Sequence, residues 1–134
     1  MERHDNIISI AKNTIDLQAS AIAKLGNLID SEFAEAVLHI YKASGRVIVT
    51  GIGKSANIAT KIVATLNSTG TPAIFMHAAD AIHGDLGTIT DKDVVVCISK
   101  SGDTPEIKVL VPFIKSRGNK VIAITSNRDS FLGQ

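Results

Sequence analysis

From Asn6 to Ile29 the apolar residues Ile8, Ala11, Ile15, Ile22, Leu25 and Ile29 recur at spacings of three, four and seven, the period of one stripe along a helix. Gln18 is the polar gap in that stripe. The spacing is close to a heptad, so the stripe suits a helix lying on its own domain or one docking on a second subunit. A second helix is expected to start near Ser31, read as its N-cap with Glu32 and Glu35 in the first turn, and to end before Gly45, read as a C-terminal cap.

Beyond Gly45 the texture changes. Val47-Ile48-Val49, Val94-Val95-Val96-Cys97-Ile98 and Val121-Ile122-Ala123-Ile124 are continuous apolar runs rich in β-branched residues, the mark of strands covered on both faces. A shorter strand is expected at 73–76, after the Gly70-Thr71-Pro72 turn. Helical spacing fills two of the intervals, at 55–67 (Ile58, Ala59, Ile62, Val63, Leu66) and 104–115 (Ile107, Leu110, Val111, Ile114). Strand, helix, strand, helix in this order predicts an α/β fold: a mostly parallel sheet between helical layers, a three-layer α-β-α sandwich with helices at its N-terminus. No repeat or linker divides residues 1–134, which read as one domain with no second. The run Asn127 to Gln134 begins a new turn and stops, leaving a fourth strand with no covering crossover, so the domain is expected to be truncated at its C-terminal end.

With 134 residues, 45% apolar and 20% charged, the chain can build one buried core. A net charge of +1 gives no broad field to hold a nucleic acid or an acidic membrane, so an anion must bind at a local site. The single Cys97 sits in an apolar strand and reads as a small buried hydrophobe, which suits a reducing, cytoplasmic setting. The N-terminus lacks a signal-peptide core, and no stretch approaches the roughly 18 apolar residues of a membrane span.

In open parallel sheets ligands gather beyond the carboxyl ends of the strands, where loops lead into helix N-termini. Thr50-Gly51-Ile52-Gly53-Lys54-Ser55 puts two glycines there, letting backbone approach a ligand while the first N–H groups of the helix point at it. The loop is not a Walker A motif, because the required first glycine is Ile48. It matches a dinucleotide fingerprint as Gly51-x-Gly53-x-x-Ala56, but the acidic residue expected about twenty positions on is missing, with Phe75-Met76-His77 in its place. A second loop, Ser99-Lys100-Ser101-Gly102-Asp103-Thr104, leads into a helix opened by Pro105, with Thr104 as its expected N-cap and Ser99 and Ser101 suited to turn bonds. Taken together, Ser55, Ser99, Ser101 and Thr104, with two helix dipoles and the charges of Lys54 and Lys100, make a cradle for a phosphate monoester, lined by Gly51, Gly53 and Gly102. A third loop, 77–87, carries His77, Asp80, His83 and Asp85; His83 and Asp85 are a candidate metal pair, without a compact ligand pattern, and no metal is expected.

The segments Gly51-Ile52-Gly53-Lys54-Ser55, Ser68-Thr69-Gly70-Thr71-Pro72, His83-Gly84-Asp85-Leu86-Gly87 and Ser99 to Ile107 together resemble the sugar isomerase (SIS) domain and, within it, the arabinose-5-phosphate isomerases. The resemblance runs from about Ile7 to the end of the chain. It implies a flavodoxin-like or Rossmann-like SIS fold, here without the end of the domain and the CBS pair that usually follows. It implies interconversion of D-arabinose 5-phosphate and D-ribulose 5-phosphate through an enediolate, feeding the sugar acid of lipopolysaccharide or capsule, with no cofactor. Lys54, Glu106 and His83 match the family's active-site lysine, acid–base carboxylate and sugar-side histidine; for Glu106 a helix-start acid is the simpler structural role, and for His83 a surface loop residue. The partners implied are a sugar phosphate and further copies of the chain in a homodimer or homotetramer, with neither nucleic acid nor membrane. Two other readings share the serine loop: a non-catalytic sugar-phosphate-sensing regulatory module, and isomerases of hexulose or heptose phosphates that differ around His83.

Overall fold

The four apolar runs form four strands in a computed structural model that describes residues 2–134: β1 (Val47–Gly51), β2 (Ala73–His77), β3 (Val94–Ile98) and β4 (Lys120–Ile124). All pair in parallel in the order β2-β1-β3-β4, with Thr50 beside Met76 on one side and Cys97 on the other. Each lies within a residue or two of its predicted span. The helices are α1 (Glu2–Leu25), α2 (Ser31–Lys42), α3 (Lys54–Ser68), α4 (Ala78–Ile82) and α5 (Pro105–Ser116), with 3-10 turns at Gly26–Leu28 and Asp85–Thr88.

Two compact units make up the chain, one ending at Glu35 and one running Ala36–Gln134. In the second unit the period of two along each strand sends alternate side chains into separate cores. Val47, Val49, Ala73, Val96 and Ile98 pack with Ala59, Ile62, Val63 and Leu66 of α3 and with Ile40. On the opposite face Ile48, Met76, Val95 and Cys97 pack with Ala78 and Ala81 of α4, and with Ile107, Leu110, Val111 and Ile114 of α5. This is the predicted α/β sandwich, its sheet parallel throughout. Cys97 is fully buried, and burial pushes its thiol pKa up to about 12, so it acts as a packing residue.

In the first unit α1 takes the predicted stripe, and Ile8, Ile15, Ile22 and Leu25 are each more than half exposed. Among the described residues no helix is long and apolar enough to cross a membrane.

Two predicted caps are corrected. Ser31 is the first helical residue of α2, and the residue before it does the capping: Asp30 Oδ1 accepts from Phe33 N–H at 3.1 Å. Gly45 does not cap α2 in a left-handed conformation. It lets the chain pass the turn before β3, where its N–H donates to Lys92 O at 3.0 Å and a Cβ would stand 2.6 Å from Asp93 Oδ1 and the Lys92 carbonyl.

Asp93 is the polar centre at this amino-terminal end of the sheet. Its buried carboxylate accepts from Arg46 N at 2.7 Å, Arg46 Nη2 at 3.0 Å and Thr90 N at 2.8 Å. Burial alone would raise the carboxyl pKa; the bonds from Arg46 and Thr90 outweigh it and hold the group at about 2. Asn119 Nδ2 ties the same corner together through Thr90 O at 2.7 Å and Asp93 O at 2.9 Å. The corner pins the sheet at the end away from the candidate site.

Candidate functional site

At the carboxyl edge β1 runs into α3 through Ile52-Gly53. Gly53 has φ 60 and ψ −129, a conformation closed to residues with a Cβ, and its carbonyl accepts from Ala56 N at 3.1 Å to open the helix. Gly51 is needed for a different reason. A Cβ there would stand 3.1 Å from Ser55 Cβ and 3.2 Å from Ile98 O, so the first turn of α3 and the end of β3 both close in on the end of β1. At this turn Ser55 is half-buried and Lys54 exposed.

The β3 loop is shaped from within. Ser99 is buried, and its Oγ accepts from Gly102 N at 3.0 Å and pairs with Thr104 Oγ1 at 2.7 Å. Ser101 Oγ accepts from Asp103 N at 3.2 Å, the turn bond expected of it, while Ser101 itself is exposed. Thr104 stands at the N-cap of α5 with Pro105 behind it, but its side chain makes no capping bond because Ser99 engages the hydroxyl. The first N–H groups of α5 are thereby left without a side-chain acceptor from Thr104. Glu106, half-buried, sits in this first turn.

The chain's last residues, read from sequence as an element cut short, fold back over this loop. Leu132 is buried and its N–H donates to Gly102 O at 3.0 Å; Ser126 Oγ donates to Lys100 O at 2.6 Å. Phe131 N–H donates to Asp103 Oδ1 at 3.2 Å, and with Lys108 it holds the Asp103 carboxyl below its ordinary pKa. Gly102, at φ 73, is hemmed in: a Cβ would run into Ser130 Oγ. Sequence reading missed Ser126, Ser130 and Leu132 as supports of the loop. The apolar pair Phe131-Leu132 after a polar run was the one available signal.

The third loop is more ordered than expected, because 78–82 form α4 and 85–88 a 3-10 turn. His83 is exposed at the C-terminal end of α4, where its backbone N–H donates to Asp80 O at 3.0 Å, and Gly84 takes φ 139 to redirect the chain. Among the described residues no cluster of three or more His, Cys, Asp or Glu could hold a metal. His77, which ends β2 beside Gly51, was named in the sequence only as part of this loop.

The site therefore juxtaposes two helix-opening loops from adjacent strands, with exposed Lys54 and Ser101, half-buried Ser55, Thr104 and Glu106, and a buried Ser99 that shapes one of them. Such an edge offers backbone N–H groups and helix dipoles to an anion.

Comparison with known proteins agrees with this geometry. The SIS domain family matches residues 39–134. The arabinose 5-phosphate isomerase KpsF of Escherichia coli O6:H1 strain CFT073 is 46% identical over 129 residues, which are 96% of this chain and 39% of that protein. The arabinose 5-phosphate isomerase KdsD of Pseudomonas aeruginosa is 43% identical over 134 residues, all of this chain and 41% of that protein. Among solved structures, that of E. coli CFT073 c3406 in complex with arabinose 5-phosphate superposes with a TM-score of 0.88 at 38% identity, covering 96% of this chain and 68% of that one. The chain thus spans about two fifths of the length of the curated relatives it matches. The chain belongs to the SIS domain family, and the two relatives compared above are named as arabinose 5-phosphate isomerases.

Proposed function

We propose that this chain is the sugar-phosphate-binding and catalytic part of an aldose–ketose isomerase that interconverts D-ribulose 5-phosphate and D-arabinose 5-phosphate. The observation that carries the reading is the crowding at Gly51, which ends β1 close to both Ser55 at the start of α3 and Ile98 O at the end of β3, so that the loops opening α3 and α5 leave adjacent parallel strands at one edge. The likeness to the arabinose 5-phosphate complex of c3406, and to relatives named for this isomerisation, supports the same substrate class.

The phosphate is held by Ser55, Ser101 and Thr104 and by the amides opening α3 and α5, with Ser99 forming part of the set by fixing the loop and Gly51, Gly53 and Gly102 letting backbone come close. Glu106 takes a proton from C1 of the ketose. The C–H electron pair becomes the C1=C2 bond, the C2 carbonyl pair moves to oxygen, and an enediolate results. Lys54 stabilises the charge on that oxygen. A proton then returns at C2 while the proton of the C1 hydroxyl passes to the C2 oxygen, leaving the aldose with its carbonyl at C1. His83 contacts a sugar hydroxyl and assists ring opening. No cofactor takes part in this scheme.

The reaction belongs to the whole protein, whose relatives are more than twice this length. We place it in the cytoplasm, upstream of the sugar acid of lipopolysaccharide or capsule, in a homodimer or homotetramer. The exposed apolar stripe of α1 supports the oligomer. Glu106→Gln in the full-length protein is expected to lower the isomerisation rate by about two to four orders of magnitude while leaving substrate affinity within a few-fold. A near-normal rate would remove Glu106 from the mechanism.

A further inference from the structure

His77 is the last residue of β2, in register with Gly51 of β1. Its Nδ1 accepts from Ala79 N–H at 3.3 Å, and its ring meets Phe75 edge-on with centroids 6.2 Å apart. An imidazole nitrogen that accepts from an amide carries no proton, so the neutral ring bears its hydrogen on Nε2. Among the described residues nothing accepts a hydrogen bond from Nε2, and the residue is only half-buried. The result is an oriented donor held in one tautomer at the carboxyl edge of the sheet.

Its distance from the phosphate cradle fits a purpose. Adjacent strands lie about 4.8 Å apart, so the ends of β2 and β3, separated by β1, stand about 10 Å from each other. That span is within reach of a five-carbon chain whose phosphate is seated on the β3 loop.

We propose that His77 is a further substrate-binding residue, donating from Nε2 to a hydroxyl oxygen of the sugar chain. The inference rests on the sugar-phosphate isomerase reading and adds to it a hydroxyl-binding group at the β2 edge of the site. The simpler role, a cap on α4 through Nδ1, accounts for one nitrogen and leaves the other unused.

Two variants separate the roles in the full-length protein. His77→Asn keeps an acceptor for Ala79 N–H and loses the distant donor; His77→Gln keeps a distant N–H and weakens the cap. With ribulose 5-phosphate, His77→Asn is expected to lose roughly tenfold in kcat/KM, the scale of one hydrogen bond to bound substrate, and His77→Gln to recover most of that loss. The second readout is the His77 imidazole NMR signal of the wild type, expected to shift with arabinose 5-phosphate and not with inorganic phosphate. If wild-type protein isomerises the sugar but His77→Asn matches it in kcat/KM, or the imidazole signal stays put when the sugar phosphate binds, the His77 assignment is overturned and the isomerase reading stands. If wild-type protein neither binds nor isomerises pentose phosphates, both fall together.

Discussion

At the scale of single residues, polar groups buried at opposite ends of the sheet do different work. Asp93 anchors the amino-terminal end: a carboxyl held at about 2 when folded and near its ordinary 3.8 when unfolded contributes about 2 kcal/mol at neutral pH. Because the folded pKa is the lower one, that contribution is complete above about pH 4 and disappears as pH falls toward 2. Asp93→Ala is therefore expected to cost about 3 kcal/mol or more, since it also strands Arg46 N and Thr90 N, and to flatten the stability–pH curve in that window. Denaturant melts of both proteins from pH 2 to pH 7 check this; parallel curves would show that Asp93 is not the titrating group. At the carboxyl end Thr50 Oγ1 is buried with no hydrogen-bond partner among the described residues. Neither feature was legible in the sequence: Asp93 stands between Lys92 and an apolar run and looks like an ordinary turn residue, and only the fold brings Arg46 to it from 47 positions away.

At the scale of elements, the four strands and the helices α3 and α5 could be read directly, because long apolar runs and 3.6-residue spacing report burial on both faces of a parallel sheet. What escaped was short or non-local. α4 is five residues, too few to show a period, and three of them are alanines. The capping of α2 moved to Asp30 because a carboxylate one residue earlier reaches Phe33 N–H. The serine loop was found as a set of hydroxyls, but its internal bonding was not: Ser99 and Thr104 face each other at 2.7 Å, and the terminal segment 126–134 supports the loop from outside. Leu132→Ala is expected to lower stability by about 2 to 4 kcal/mol through the lost burial. It should also weaken sugar-phosphate binding, because Leu132 N–H fastens Gly102 O. Calorimetric titration with arabinose 5-phosphate at a temperature where the variant stays folded tests the second effect; unchanged affinity would show that the terminal segment is only packing.

For the whole molecule, the division at Glu35 matters more than the sequence suggested. The heptad-like spacing left open whether α1 serves its own domain or a second subunit, and its apolar residues are exposed along the helix. Replacing Ile15 and Ile22 together with Glu in the full-length protein is expected to shift it to a smaller assembly in size-exclusion chromatography with light scattering, with the far-UV spectrum kept; an unchanged mass would take α1 out of the contact. The fold class was legible in the alternating runs, and because a parallel sheet directs its loops and helix N-termini to one edge, residues 50–55 and 99–106 both open at that edge. The direct test of the account is proton exchange followed by NMR in deuterated buffer, with ribulose 5-phosphate and the full-length protein. Deuterium entering C1 of the ketose and C2 of the arabinose 5-phosphate formed, and slowed by Glu106→Gln, is the predicted result; saturable sugar-phosphate binding with no exchange at either carbon would contradict it.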